Sequence, residues 1–357
     1  MPILETRHGS VPLPAFFPDA TYGAVRAAGF EDVENAGLTG LVMNTYHLYN
    51  RPGAQLIKRL GGLHAFTGYS GTLLTDSGGF QLYSLIRENP AYGEIREGEI
   101  IFRPAQDAKK LIFTPEKCIQ AQMQYGSDIL MCLDVCTHPD DPPQAQRRSV
   151  ELTVKWAARC RAEFDKLTAR LEDKPKLFAI VQGGADEALR QECGQRLQQI
   201  WFDGYGFGGW PLDSQGNFRP EILNWACQAM PPDLPRYAMG LGRPEEIVAC
   251  VDMGYNLFDC VIPTREARHQ RLYVFNPDGQ TPEGLRRGSF YHFHYALDDR
   301  HICDRRPVDE SCSCILCRRY SRAYLHHLFK TGDAQAQRLA TAHNLRFFAR
   351  LMELLRA

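Results

Sequence analysis

Short apolar runs recur along this chain, and nearly every one ends in a polar residue or a glycine. They are Leu41–Thr45, Thr72–Asp76, Asp128–Asp134, Leu177–Val181, Tyr205–Gly208, Arg236–Gly240 and Leu257–Ile262. None alternates strictly between apolar and polar positions. They therefore read as strands buried on both faces, as strands of a parallel sheet are. Helical patterns separate several of them. Thr114 followed by Pro115 predicts a helix start, with Thr as N-cap and Pro at the first helical position. Pro142 to Leu171 reads as a long helix and Glu187 to Ile200 as another, and Arg243-Pro-Glu-Glu-Ile opens a third. Repeated strand–helix units over this length predict an α/β fold, a (β/α)8 TIM barrel, with a doubly wound sheet as the rival. The residues at the ends of the runs favour the barrel: Asn44, Asp76, Asp134, Gln182, Gly208, Gly209, Gly240 and Asp259. A barrel gathers all its strand ends at one face, whereas an open sheet uses mainly its switch point. Pro90 to Gly98 and Pro277 to Gly288 read as exposed loops.

Three of the runs reach an aspartate: Asp76, Asp134 and Asp259. A carboxylate at the mouth of a buried strand is costly unless something uses it. On parallel strands the three converge on one pocket.

The chain has 357 residues, 44% hydrophobic and 23% charged, enough for one large domain and an appendage. No apolar run approaches the roughly 18 to 20 residues of a membrane span, and Met1-Pro-Ile-Leu-Glu is not a signal peptide. Most of the twelve cysteines are scattered singly through apolar or mixed segments, which fits reduced thiols in a cytoplasmic enzyme. A net charge of −1 excludes a polycation. Yet eleven arginines, no lysine and eight acids lie between Arg265 and Arg322. That stretch is either a salt-bridged surface or a phosphate-binding face, since Arg suits bidentate phosphate contact.

Residues 301–357 change character and read as a small helical subdomain packed on a 1–300 barrel. The predicted helices are Arg318–Lys330 and Asp333–Leu355, joined at Thr331-Gly332. Cys312, Cys314 and Cys317 crowd three thiols into six residues, a spacing that fits tetrahedral zinc with one further ligand. His326 and His327 lie about 14 Å along the first helix at about 1.5 Å per residue. His343 lies on the returning helix, level with the first helix's start, and is the preferred fourth ligand. Four protein ligands would make one Zn2+ structural.

Taken in order, these residues resemble the tRNA-guanine transglycosylases (queuine tRNA-ribosyltransferases). The likeness runs through Asn44-Thr-Tyr-His-Leu48, Asp76-Ser-Gly-Gly-Phe-Gln81, Gly126-Ser-Asp-Ile129, Val181-Gln-Gly-Gly184, Met239-Gly-Leu-Gly242, Phe258–Arg265, the cysteine triplet and His343-Asn-Leu. It covers essentially the whole chain. The resemblance implies exchange of a guanine in RNA for a 7-deazaguanine base. It implies Asp259 as nucleophile on the ribose and Asp76 as general acid/base. Asp134 and Gln182 would read the base edge, with a backbone N–H near Gly208 and Gly209 on the base carbonyl. Phe80 would stack on the base, Met239 would cover its other face, and Arg265 and Arg268 would contact RNA. The partners implied are a tRNA with a wobble guanine and a second copy of the chain in a homodimer, with no membrane.

The chain departs from the family pattern near the pocket. Bacterial members carry Gly-Gly-Leu-Ala-Val-Gly-Glu where this chain has Gly208-Gly-Trp-Pro-Leu-Asp213. Trp210 and Pro211 change the bulk and stiffness of that loop, and Asp213 is expected to stand in for the glutamate. The loop leaves the incoming base open between 7-aminomethyl-7-deazaguanine, queuine and 7-cyano-7-deazaguanine. Two other readings keep much of the same sequence: a 7-deazaguanine transglycosylase acting on DNA, and a non-catalytic RNA-binding partner subunit.

Overall fold

A computed structural model describes residues 2–104, 110–213 and 215–357. It contains the expected barrel. The strands are β1 (Ala15–Pro18), β2 (Gly40–Met43), β3 (Thr72–Thr75), β4 (Ile129–Met131), β5 (Lys176–Val181), β6 (Gly204–Phe207), β7 (Arg236–Ala238) and β8 (Leu257–Cys260). Each pairs in parallel with its neighbours in chain order, and β8 pairs with β1. A parallel bridge between Asp19 and Val42, with Ala20 N–H donating to the Val42 carbonyl at 2.7 Å, joins β1 to β2.

The first strand falls outside the expected runs. Its four residues are buried, but they follow Pro14, end on Pro18 and are too few to show a period. β4 ends at Met131, three residues short of Asp134, because the Gln122 side chain takes the Met131 backbone, accepting from its N–H at 2.8 Å and donating to its carbonyl at 2.9 Å. The segment expected as a loop at Pro90–Gly98 contains a short strand, Gly93–Ile95, in an antiparallel sheet with Ile100–Phe102 and Leu111–Phe113. Pro277–Gly288 holds only short 3₁₀ turns.

The helices adhere more closely to the sequence pattern. Thr114 Oγ1 accepts from Lys117 N–H and caps Pro115–Tyr125. Pro143–Thr168, Glu187–Ile200 and Pro244–Met253 form as expected. The helix expected over Arg318–Lys330 is broken into Ile315–Arg319 and Arg322–Lys330. Ser321 Oγ accepts from Tyr324 N–H at 3.2 Å and starts the second piece as its N-cap. Ala334–Arg356 closes the chain, capped by Asp333.

Inside the barrel, Phe17, Val42, Leu74, Met131, Phe178, Ile180 and Leu257 form one apolar cluster. Gly40 and Gly204 leave space for the rings of Phe17 and Phe178, which would meet an added Cβ at 2.3 and 2.4 Å. An N-terminal hairpin, Ile3–Thr6 with Gly9–Pro12, adds Leu4 and Val11 to the same cluster and plugs the amino-terminal end. There the fully buried Asp128 accepts from Leu73 N–H at 2.8 Å and pairs with His8 Nδ1 at 2.7 Å. The closing helix lies in two cores at once. Ala336, Leu339 and Ala340 pack in a small cluster with Leu316 and Leu325, while Leu345, Phe347, Phe348 and Leu351 join the large cluster around the barrel.

Candidate active site

Successive side chains of a strand face opposite sides. On β3, β5, β7 and β8 the inward residues are Leu74, Ile180, Tyr237 and Leu257. The position two beyond each is Asp76, Gln182, Met239 and Asp259, so strand geometry alone aims all four into the barrel mouth. Asp134 arrives differently, from the irregular segment after β4. Asp76, Phe80, Asp134, Gln182, Gly208, Gly209, Met239 and Asp259 line a single cavity of about 340 Å³ at the carboxyl ends of the strands. Ser77, Trp210, Pro211 and Tyr237 line it too.

Asp76 is held by Asn44 Nδ2 at 2.7 Å and by the N–H groups of Thr45 at 2.8 Å and Gly78 at 3.0 Å. Burial nevertheless raises its carboxyl to about 7, and the nearby Asp259 adds to the rise against those donors. Gly78, at φ +73°, turns the chain there, and a Cβ on it would lie 2.8 Å from Tyr46 N. Asp259 accepts from Tyr237 Oη–H at 2.6 Å and from Gly240 N–H at 2.7 Å, both on Oδ1, so neither bond uses Oδ2. Burial raises it to about 6, and these two donors oppose the rise. Asp134 accepts from Gln182 Nε2 at 2.7 Å and Ser77 Oγ at 3.3 Å, and burial raises it to about 6. Gln182 Oε1 is buried and has no partner among the described residues, which leaves an acceptor for a ligand N–H.

Phe80 is exposed, its ring 5.3 Å from Trp210, which in turn lies 5.9 Å from His138. Met239 packs its sulfur into the space left by Gly206. Asp213 does not line the cavity. Its carboxylate accepts from Gln215 N–H, Asn217 N–H and Asn217 Nδ2 at 2.8 to 2.9 Å and closes its own turn. Arg265 and Arg268 also stand outside the cavity, on the helix Ile262–Arg268 just after β8. Arg265 is exposed beside Glu266 at 3.7 Å. Arg268 Nη1 is buried with no partner among the described residues. Within the arginine-rich stretch, Arg271, Arg286, Arg300, Arg306 and Arg322 are taken up in ion pairs. Arg305, Arg318 and Arg319 line a groove with the stacked Tyr320 and Tyr324.

Sequence reasoning did not find Ser77, Tyr237 or Asp19. Tyr237 is the inward residue of β7 and was within reach of the period-2 rule, whereas Ser77 follows Asp76 directly and reaches the cavity only because the strand has already ended at Thr75. Asp19 ends a strand that shows no period, and its charge contributes to raising both Asp76 and Asp259.

Cys312, Cys314, Cys317 and His343 gather their ligand atoms within 4.8 Å of one another, a cluster that could hold a metal ion. His343 Nε2 donates to the Tyr273 carbonyl at 2.7 Å. That fixes Nδ1 toward the thiols, 3.5 Å from Cys314 Sγ and 3.2 Å from Cys317 Sγ. His326 is not part of the cluster; its nearest carboxylate is Asp299 at 3.6 Å. All twelve cysteines are free thiols. His8, His64 and Asp128 also approach one another, but the two imidazoles stack at 3.6 Å with 19° between planes, so their lone pairs run side by side rather than converge. Among the described residues, no helix is long and apolar enough to cross a membrane.

A parallel eight-stranded barrel with three carboxylates at the carboxyl ends of its strands is the architecture of a barrel enzyme. This one belongs to the queuine tRNA-ribosyltransferase family, whose profile matches residues 2–357. It is 41% identical over 354 residues to the queuine tRNA-ribosyltransferase of Thermoanaerobacter sp. (strain X514), which covers 99% of this chain and 88% of that protein. The protein of the same name from Novosphingobium aromaticivorans is 39% identical over 354 residues, 99% and 89% of the two chains. That of Shewanella halifaxensis is 40% identical over 351 residues, 98% and 86%.

Proposed function

We propose that this enzyme exchanges the wobble guanine of a tRNA for a 7-deazaguanine base through a covalent ribosyl–aspartate intermediate. The observation that carries the reading is that Asp259 and Asp76 line one cavity and that both donors to Asp259 fall on Oδ1, leaving Oδ2 for a substrate. Burial raises both carboxyls, Asp76 to about 7 and Asp259 to about 6, which favours Asp76 as the proton carrier. A nucleophile and an acid are thereby set by their surroundings.

Asp259 Oδ2 attacks C1′ of the target ribose as the C1′–N9 bond breaks, through an oxocarbenium-like transition state. The departing guanine takes the Asp76 proton at N9. The incoming base then gives its N9 proton to Asp76 and attacks C1′, and the bond to Asp259 breaks. Atoms and charge balance with no further reactant. Asp134 and Gln182 Oε1 accept from the N–H groups of the base, and the N–H of Gly209 donates to its carbonyl. Phe80 and Met239 cover its faces, and Arg265 and Arg268 hold the RNA. Trp210 and Pro211 wall the side that bears the 7-substituent, so they select among aminomethyl, cyano and queuine forms.

The four-residue cluster is read as a zinc site. A tetrahedral ion with arms of roughly 2.3 Å to sulfur and 2.0 Å to nitrogen separates its ligand atoms by about 3.5 Å, close to the His343–thiol distances. Such an ion brings the 301–357 segment together and takes no part in the chemistry. A cytoplasmic homodimer completes the reading.

The test is incubation with labelled guanine and either a tRNA bearing a wobble guanine or duplex DNA. Label entering the tRNA alone is expected. Label in DNA would mark the DNA-modifying alternative, and label in neither would defeat base exchange and point to a non-catalytic subunit. Chasing labelled tRNA with each 7-deazaguanine identifies the physiological base.

A further inference from the structure

Arg190 is fully buried, on the helix Glu187–Ile200, with no carboxylate in ion-pair range among the described residues. Burial pulls its guanidinium down to about 10. A buried cation without a counter-charge is expensive, and an apolar side chain of similar volume is often the more stable choice. Its position argues for a use. Nη1 donates to the Val181 carbonyl at 2.8 Å and the Gly208 carbonyl at 2.9 Å, Nε donates to the Gly184 carbonyl at 3.0 Å, and the guanidinium lies 4.6 Å from the Phe207 ring centre. It thus ties together the ends of β5 and β6, the two strands that lead into Gln182 and Gly208. Arg190 does not line the cavity; Gly208 and Gly209 do.

The Gly208–Gly209 peptide is trans. In a trans peptide the carbonyl and the next N–H point in opposite directions. Arg190 holds the Gly208 carbonyl on the side away from the cavity, so the Gly209 N–H is turned toward it. Among the described residues that N–H has no partner. Gly209 sits at φ +93°, and a Cβ on Gly208 would lie 2.5 Å from Gln182 Nε2, so glycine is needed at both. Glycines alone leave the peptide free to flip and present a carbonyl instead.

We propose that Arg190 is a positioning residue that sets the hydrogen-bond polarity of this wall, keeping a donor turned into the cavity so that it selects bases with a 6-oxo group over those with a 6-amino group. The inference rests on the base-exchange reading.

The test compares wild type with Arg190→Met and Arg190→Lys. Guanine and 2,6-diaminopurine compete against labelled guanine entering tRNA, and trapping of the tRNA–enzyme adduct is measured in parallel. In Arg190→Met the preference for guanine over 2,6-diaminopurine should fall about tenfold or more, the scale of one buried hydrogen bond. KM for guanine should rise and adduct formation should slow with it, since the guanine leaving the tRNA meets the same wall, while the pH profile of adduct formation keeps its wild-type shape. Arg190→Lys keeps the charge without the fork and should fall between, which preserves the test if the Met variant does not fold. An unchanged preference in a folded variant of an active enzyme overturns the inference alone. Wild type that exchanges no base at all overturns the functional reading beneath it.

Discussion

Tyr237→Phe removes one hydroxyl and leaves the ring that fills the barrel interior. The lost bond is the 2.6 Å donation to Asp259 Oδ1, which favours the ionised carboxylate. A hydrogen bond to a charged group contributes about 1.5 to 3 kcal/mol, and one pKa unit is about 1.4 kcal/mol. Asp259 should therefore rise from about 6 by roughly one to two units. At pH 7 the ionised fraction then drops from about nine-tenths to between about a half and a tenth. Adduct formation at pH 7 should fall about two- to tenfold below wild type, and the gap should close near pH 9, where loss of the Asp76 proton slows both proteins alike. The assay is single-turnover trapping of the RNA–enzyme adduct from pH 5 to 9.5, in wild type and variant. A variant whose acid limb stays in place while its rate is low at every pH would refute this account of the nucleophile.

Asp76→Asn should lower exchange by about 10²- to 10⁴-fold, the usual weight of a general acid. It should also melt higher than wild type at pH 8. Asp76, Asp134 and Asp259 all bind protons more tightly folded than unfolded, so their contribution is complete below about pH 4 and is lost as pH rises through about 6 to 7. Equal melting at pH 8 would count against the raised Asp76 carboxyl. Cys317→Ser should lower bound zinc from about one ion per chain to well below one and reduce the melting temperature, read by metal analysis and calorimetry; full zinc in the variant would exclude Cys317 as a ligand. Trp210→Gly, by removing the ring beside Phe80, should lower KM for queuine relative to guanine in tRNA exchange. An unchanged ratio would remove Trp210 from base selection.

Asp76 and Asp259 were legible because each closes a buried apolar run, and a strand's fixed alternation then turns them to the mouth; Asp134 was named with them, although it reaches the cavity from irregular chain after β4. The cysteine cluster was legible because three thiols in six residues have few other uses. The features that escaped depend on single side chains acting at a distance. Gln122 cuts β4 short from another helix, and Ser321 restarts a helix whose apolar pattern runs straight through. Asp213 looked like a pocket residue by its place in the loop, but its carboxylate satisfies three donors of its own turn. Arg190 carries no sequence signal, since an arginine in a polar helix reads as a surface residue until the carbonyls it reaches are seen.

The helix Ala334–Arg356 bears on how this chain can be divided. Its first half supplies His343 to the cluster with Cys312, Cys314 and Cys317, and its second half lays Phe348 against Phe16 of β1 at 4.7 Å between ring centres. A chain cut after residue 300 would leave β1 with a bare aromatic face. A chain begun at 301 would carry a half-helix of Leu345, Phe347, Phe348 and Leu351 with nothing to cover it. The two parts are not interchangeable modules. With zinc in the cluster as proposed, stripping it is expected to loosen the same rod that braces the first barrel strand, next to Asp19 at the mouth, so chelators would reach the chemistry mechanically without touching a catalytic group.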